Sequence, residues 1–293
     1  KTMLVLQYLI SGIMTGGIYG LIGVGIVIIY KATQVFNFAV GTLMTLGALI
    51  CVSLVTNFNF PFWLALPATL VLAGIIGVLI ERIGLRPLLS QPVLSIIMAT
   101  LAIESILRGL MLMIWTGYTI SFPRGLFPGK TIFIGPLFIS HEFLIAFVVA
   151  MISFALVGLF FYKTQTGLKM RVTAESHDVA MSLGVNITTI FAVAWALAVM
   201  VGTLSGVIIG NRLGLQVIIT SAVAYKALPA IMLGGLDSVA GAIIGGLIVG
   251  VLEKMAGGYI DPKIAEITPY IILLLILMIR PEGIFGLKRI ERI

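Results

Sequence analysis

Nine apolar runs divided by short polar segments dominate this sequence, at residues 4–30, 36–55, 61–80, 93–115, 142–162, 188–210, 223–233, 239–252 and 267–279. Most reach the roughly 20 residues a helix needs to cross a hydrocarbon core of about 30 Å. The expected fold is therefore all-α: a polytopic membrane protein with about nine transmembrane helices, eight to ten being compatible with the pattern. Three runs in the C-terminal half are short, and Pro229 interrupts the first of them. Short or Gly/Pro-broken helices in a transporter line a cavity or enter the membrane only partway.

Composition closes off the other classes. Of 293 residues, 60% are hydrophobic and 10% charged, against about 45–50% and roughly 25% in soluble domains. That is too few charges to coat a globule, and too much apolar surface for a disordered chain. Cys51 is the single cysteine, so no intrachain disulfide framework exists, and His141 and His177 are too far apart for a His-spaced metal site. The net charge of +7 is read as basic cytoplasmic loops rather than as a nucleic-acid surface.

Orientation follows the cations. Lys288, Arg289 and Arg292 follow the last run and put the C-terminus in the cytoplasm. Alternating back places Lys163, Lys169 and Arg171, then Arg82 and Arg86, then Lys31 on the same side, with the N-terminus outside. The first run is too long for a signal-peptide core, and no cleavage site follows it. Residues 1–293 read as one membrane domain with an external loop at 116–141 and a cytoplasmic loop at 163–187.

No catalytic motif is present. Gly125-Leu126-Phe127-Pro128-Gly129-Lys130-Thr131 imitates a nucleotide-binding loop, but it has three residues between its glycines where the pattern needs four, and Pro128 lacks an N–H. HExxH, GxSxG and CxxC are absent. The expectation is a chain that is not an enzyme, holds no cofactor and hydrolyses no ATP itself.

A few polar features remain. Glu104 and Arg108 lie mid-span at i, i+4 and can pair on one helix face. Two readings stand for them: a structural ion pair, or part of a translocation path or gate. Gly12, Gly16 and Gly20, like Gly202, Gly206 and Gly210 and like Gly246 and Gly250, recur every four residues. Such stripes let helices approach closely, within this chain or against a second subunit. Asn37-Phe38-Ala39-Val40-Gly41 opens the second run, where asparagine either caps a helix or meets a polar solute. In the cytoplasmic loop, residues 173–183 form one short helix carrying Glu175, His177 and Asp178, which Gly184 ends. It either lies on lipid or docks in a partner's groove, and its acidic residues favour the partner. Residues 232–241, with three glycines, read as a tight turn.

Together these segments resemble one family. Gly20-Leu21-Ile22-Gly23-Val24-Gly25 with Asn37-Phe38-Ala39-Val40-Gly41 is similar to the first block of the permease subunits of branched-chain amino acid ABC importers. Ile80-Glu81-Arg82 with Arg86-Pro87-Leu88 resembles that family's E-R-x-x-x-R-P-L turn. Residues 167–184 resemble its coupling loop, and Leu233-Gly234-Gly235 through Gly241 and Gly245-Gly246 its L-G-G block. Arg280-Pro281 with Gly283-Ile284-Phe285-Gly286 resembles its closing signature. Two positions depart: the family commonly has histidine at Val40 and glycine at Asp237.

The resemblance implies half of a translocation pathway in a bacterial or archaeal plasma membrane. The implied partners are a second permease subunit, identical or paralogous, two cytoplasmic ATPase subunits that bind the ATP, and an extracytoplasmic substrate-binding protein. Glu175, Ser176, His177, Asp178, Leu183 and Gly184 would form the ATPase contact. The candidate pathway residues are Asn37, Phe38, Gly41 and Glu104. The family also includes systems for urea, short amides, other amino acids and aromatic acids. The competing readings are an ion-coupled secondary transporter, with Glu104 as its best ion ligand, and a passive channel.

Overall fold

The structure, a computed structural model, describes residues 2–88, 91–123, 131–134 and 137–286. The loop imitating a nucleotide site falls mostly in 124–130, and Lys288, Arg289 and Arg292 fall in 287–293; both lie outside the described residues. The helices are α1 (Thr2–Thr33), α2 (Val40–Thr56), α3 (Phe62–Ile80), α4 (Val93–Trp115), α5 (His141–Lys163), α6 (Gln165–Glu175), α7 (His177–Ser182), α8 (Ile187–Leu213), α9 (Val217–Val223), α10 (Leu228–Gly234), α11 (Val239–Tyr259) and α12 (Pro262–Ile279). Among the described residues, eight helical segments are long and apolar enough to cross a membrane, and the shorter apolar α2 makes a ninth. The chain is a polytopic all-α membrane protein.

One local expectation needs correction, and two other segments gain detail. The run at 223–233 belongs to a longer segment, Val217–Gly234, that a 3-10 turn at Ala224–Ala227 breaks into α9 and α10. Pro229 sits near the start of α10, where a missing N–H costs nothing, so it is not the interruption. The last two helices reach full span length: α11 runs on through Glu253 to Tyr259, and Asp261 caps α12 with its carboxylate on the Lys263 N–H and lets it begin at Pro262. Within the 116–141 segment, Thr131–Ile134 and Leu137–Ser140 pair as an antiparallel hairpin, β1 and β2.

Contacts divide the chain into two compact units. The first comprises residues 1–27, 127–154 and 226–293. Its centre is glycine packing between α1 and α11: a Cβ at Gly12 would strike Val251, one at Gly16 would strike Gly246, and one at Gly250 would strike Gly16. Lipid gives no hydrophobic drive for helix association, so close backbone approach supplies the attraction. Tyr19, Ala230 and Val249 form a small core beside it, with Leu233 and Ile272 packed against them.

The second unit comprises residues 28–126 and 155–225. Here α2 crosses α8, with Gly206 against the Met44 carbonyl, Gly202 near the Met44 side chain and Gly47 against Thr203. A core of Ala48, Leu49, Val52, Met111, Val207 and Val217 joins α2, α4, α8 and α9. The buried residues of α4 are Thr100, Glu104 and Met111, a single stripe at helical spacing. Leu94, Met98, Ile106, Leu110 and Met113 on its other faces are exposed. The polar groups thus turn inward and the apolar ones outward, the arrangement a lipid solvent selects.

Candidate translocation and coupling sites

The loop between α1 and α2 builds the first site. Asn37 is 1% exposed. Its side-chain Oδ1 accepts the Ala39 N–H at 2.9 Å, an Asx turn two residues on rather than a helix cap, since α2 starts at Val40. Its Nδ2 has no hydrogen-bond partner among the described residues. The Phe38 N–H reaches Thr100 Oγ1 of α4 at 3.4 Å. A pocket here is lined by Thr33, Asn37, Glu81, Thr100, Phe191 and Trp195 among others, with about 30 Å³ of room for water-sized occupants. At roughly 10–15 Å³ each, that is two or three waters, not a solute.

The four pathway candidates separate on this geometry. Asn37 and Phe38 sit together beside Thr100. Gly41 lies in a crossing, where a Cβ would strike the Ser221 carbonyl. Glu104 is buried one turn beyond Thr100 on α4 and does not line the pocket. It pairs with Arg108, whose side chain is 37% exposed, and the Ser105 hydroxyl donates to its other oxygen at 3.4 Å. Val40, one of the two departures, is buried at the start of α2.

The second site is the 163–187 segment. The expected single helix at 173–183 is two helices, because Ser176 turns to extended backbone and caps α7 with its hydroxyl on the Val179 N–H. Glu175 therefore ends α6 and is exposed, while Asp178 opens α7 and is exposed. Gly184 takes φ +74, and the Gly184 and Val185 N–H groups bond back to Met181 and Ala180, a Schellman stop. Val179, Met181 and Leu183 expose apolar side chains on this short helix. His177 faces the other way. Its Nε2 stands 3.1 Å from the Ala32 carbonyl at the end of α1, and its ring meets Phe191 edge-on at 5.6 Å. A carbonyl only accepts, so Nε2 is the protonated nitrogen.

Two further clusters were missed as sites. Glu81, 1% exposed, takes a two-pronged contact from Arg86 at 2.8 and 3.2 Å, and Arg86 also reaches the Thr188 carbonyl at 3.4 Å. A π-helical stretch at Glu81–Leu85 sets that spacing. The second is a charge cluster around the buried Glu253 in the first unit. The Tyr19 hydroxyl donates to Glu253 Oε2 at 2.7 Å, and Lys226 Nζ lies 3.8 Å from Oε1. Among the described residues, no group of three or more His, Cys, Asp or Glu side chains is placed to hold a metal.

One protein family, described as the permease component of the branched-chain amino acid transport system, has a sequence model that matches residues 8–278. The chain belongs to that family. The permease is 26% identical over 304 residues to the high-affinity branched-chain amino acid transport system permease protein BraD of Pseudomonas aeruginosa, covering 98% of both chains. It is 25% identical over 305 residues to LivH of Escherichia coli, covering 98% of this chain and 97% of the relative. It is 29% identical over 301 residues to the probable LivH of Methanocaldococcus jannaschii, covering 93% and 90%. The permease's sequence blocks acquire physical meaning in the fold. The acid and last arginine of the E-R-x-x-x-R-P-L turn are the Glu81–Arg86 pair. The L-G-G block and the closing signature join: the Ile284 and Phe285 N–H groups bond to the Leu233 and Gly234 carbonyls at 2.8 and 3.0 Å.

Proposed function

We propose that the permease is the membrane subunit of an ABC importer for branched-chain amino acids or a related small polar solute. The observation that carries this reading is collinearity: near-full-length relatives named as branched-chain amino acid transport permeases align end to end with the permease. On this reading it supplies half of a pathway, with a second permease subunit, identical or paralogous, supplying the other half. Two cytoplasmic ATPases bind the ATP and drive the pair between outward- and inward-open states. An extracytoplasmic binding protein selects the solute, so the permease needs no tight pocket, in keeping with the water-sized cavity beside Asn37. The location is the bacterial or archaeal plasma membrane, with the C-terminus and the 163–187 segment in the cytoplasm.

In this scheme Glu175, Ser176, Asp178, Leu183 and Gly184 form the ATPase contact, and exposed apolar side chains beside acidic ones suit a groove on a soluble partner. His177 fastens that contact to the end of α1. Asn37, Phe38 and Glu104 line the path, and Gly41 holds the local crossing tight. Tagging the permease, solubilising its native membrane in mild detergent and identifying co-purified chains by mass spectrometry tests the proposal. Two ATPases and a second permease are expected. Recovery alone or as a plain homo-oligomer, with uptake driven by an ion gradient, would replace it with a secondary transporter, and flux without any driving partner with a channel.

A further inference from the structure

The cluster of Tyr19, Lys226 and Glu253 is not used by the scheme above. All three residues belong to the first unit. Lys226 stands on the 3-10 turn that breaks the Val217–Gly234 segment. Glu253 lies 14 residues into α11 and six before its end, about 21 Å and about 9 Å along the axis, and so at membrane depth. Charged groups at that depth face a bundle interior or a water-filled space, and a lone structural role is a costly use of them.

The pair is unequally satisfied. Glu253, its side chain 7% exposed, holds the Tyr19 hydroxyl at hydrogen-bond distance. Lys226, its side chain 28% exposed, has the ion pair at 3.8 Å, beyond hydrogen-bond length. An ammonium carries three N–H donors. A small carboxylate arriving on the exposed side of Lys226 gains bonds that Glu253 does not supply.

Charge balance narrows the ligand. The Lys–Glu pair is neutral, so a zwitterion adds no net charge at depth. Its carboxylate takes the lysine donors and its ammonium meets Oε1, the carboxylate oxygen turned towards Lys226. An acid without an amine would bury a net charge, and urea or an amide would engage neither partner as an ion.

We infer that Lys226 and Glu253, positioned by Tyr19, form the subsite of the pathway that takes the head group of a zwitterionic α-amino acid. This rests on the permease reading proposed above and adds to it a place and a chemistry. Two measurements on the assembled complex test it. The first is uptake of leucine at saturating binding protein in proteoliposomes, for the parent, Lys226→Gln, and the neutral pair Lys226→Gln with Glu253→Gln. A mere structural tie tolerates neutralising both partners, because no charge is left stranded. A head-group subsite does not. At least a tenfold fall in maximal uptake is expected for both variants, with complexes still assembled by size-exclusion chromatography. Parent-like uptake by the neutral pair overturns the inference.

The second measurement is saturation-transfer NMR on the complex without binding protein or nucleotide, with leucine, leucinamide and 4-methylpentanoate as probes. Leucine is expected to give at least a threefold stronger signal on the parent than either analogue, an advantage lost in Lys226→Gln. Equal signals for the three probes overturn the inference. Absence of ATP-driven uptake in the parent overturns the permease reading instead, and the NMR comparison still decides the subsite.

Discussion

At Asn37, a single buried amide does two things. Its oxygen closes the turn into α2, and its nitrogen has no partner among the described residues, at a side chain that lines a pocket with room for a few waters. Replacing it with alanine strands the Ala39 N–H. The expected outcome is a loss of about 1–3 kcal/mol, read as a lower melting temperature in detergent together with severalfold slower uptake. Glu81→Gln removes one charge from the two-pronged contact with Arg86. Hydrogen bonds to charged groups contribute about 1.5–3 kcal/mol, and the lower figure applies because Arg86 is one-third exposed. Arg86→Lys keeps the charge but not the fork, so a melting experiment should place it nearer Glu81→Gln than the parent. At Gly184, φ +74 is unfavourable for a side chain by about 1–2 kcal/mol, with asparagine the mildest replacement. Gly184→Val should weaken ATPase association in pull-downs while Gly184→Asn retains it; equal retention by both would count against this turn as part of the contact.

Elements differ in how they tolerate added volume, and glycines separate the cases. A side chain at Gly16 or Gly246 meets backbone of the facing helix, whereas nothing lies within 4 Å of a Cβ at Gly109 or Gly158. Gly246→Leu should destabilise the permease by about 1–3 kcal/mol or more through overpacking. Gly109→Ala should be neutral, or stabilising by up to about 1 kcal/mol from helix propensity. A thermal-shift series on the four positions checks both halves. The same elements show what the sequence made legible. Apolar length located the spans, because lipid leaves few alternatives to a helix. It did not locate the broken segment's true start, since Thr220 and Ser221 interrupt the apolar run and leave Val217–Ile219 too short to stand as a span of its own. The division of residues 173–183 turned on Ser176, whose preference for helix starts was a readable signal but competed with continuous helical spacing on both sides. Glu253 escaped notice because Glu253-Lys254 looked like the polar edge of a span. The partner that reveals it, Tyr19, is 234 residues away.

Across the whole molecule, the sequence blocks that carry the family resemblance are largely backbone devices. Asn37, Phe38 and Gly41 shape a turn and a crossing, Glu81 and Arg86 a π-helical corner, and Gly234, Gly241 and Gly245 close contacts between α10 and α11. That explains why position and family could be read from one sequence while the cargo contacts could not: close approach leaves a fixed glycine spacing, whereas side chains meeting from distant helices leave none. The proposed orientation has a direct check at this scale. A cysteine placed at the exposed Asp178 should react with an impermeant maleimide in inside-out vesicles and resist it in right-side-out ones, against the buried native Cys51 as the background. The reverse pattern would turn the whole topology over.

The bonds from Ile284 and Phe285 to Leu233 and Gly234 also impose an order in time. The two strands of this clasp lie about fifty residues apart, so at about 5–20 residues per second the first waits roughly 3–10 s on the ribosome for the second. During that interval the Leu233 and Gly234 carbonyls lack these two partners. The corner is thus completed only after α11 and α12 have been handed to the membrane. A variant such as Gly283→Val, which crowds the Met232 carbonyl, would spare insertion and strike maturation, leaving a chain that is threaded correctly, slow to close and open to quality-control proteolysis.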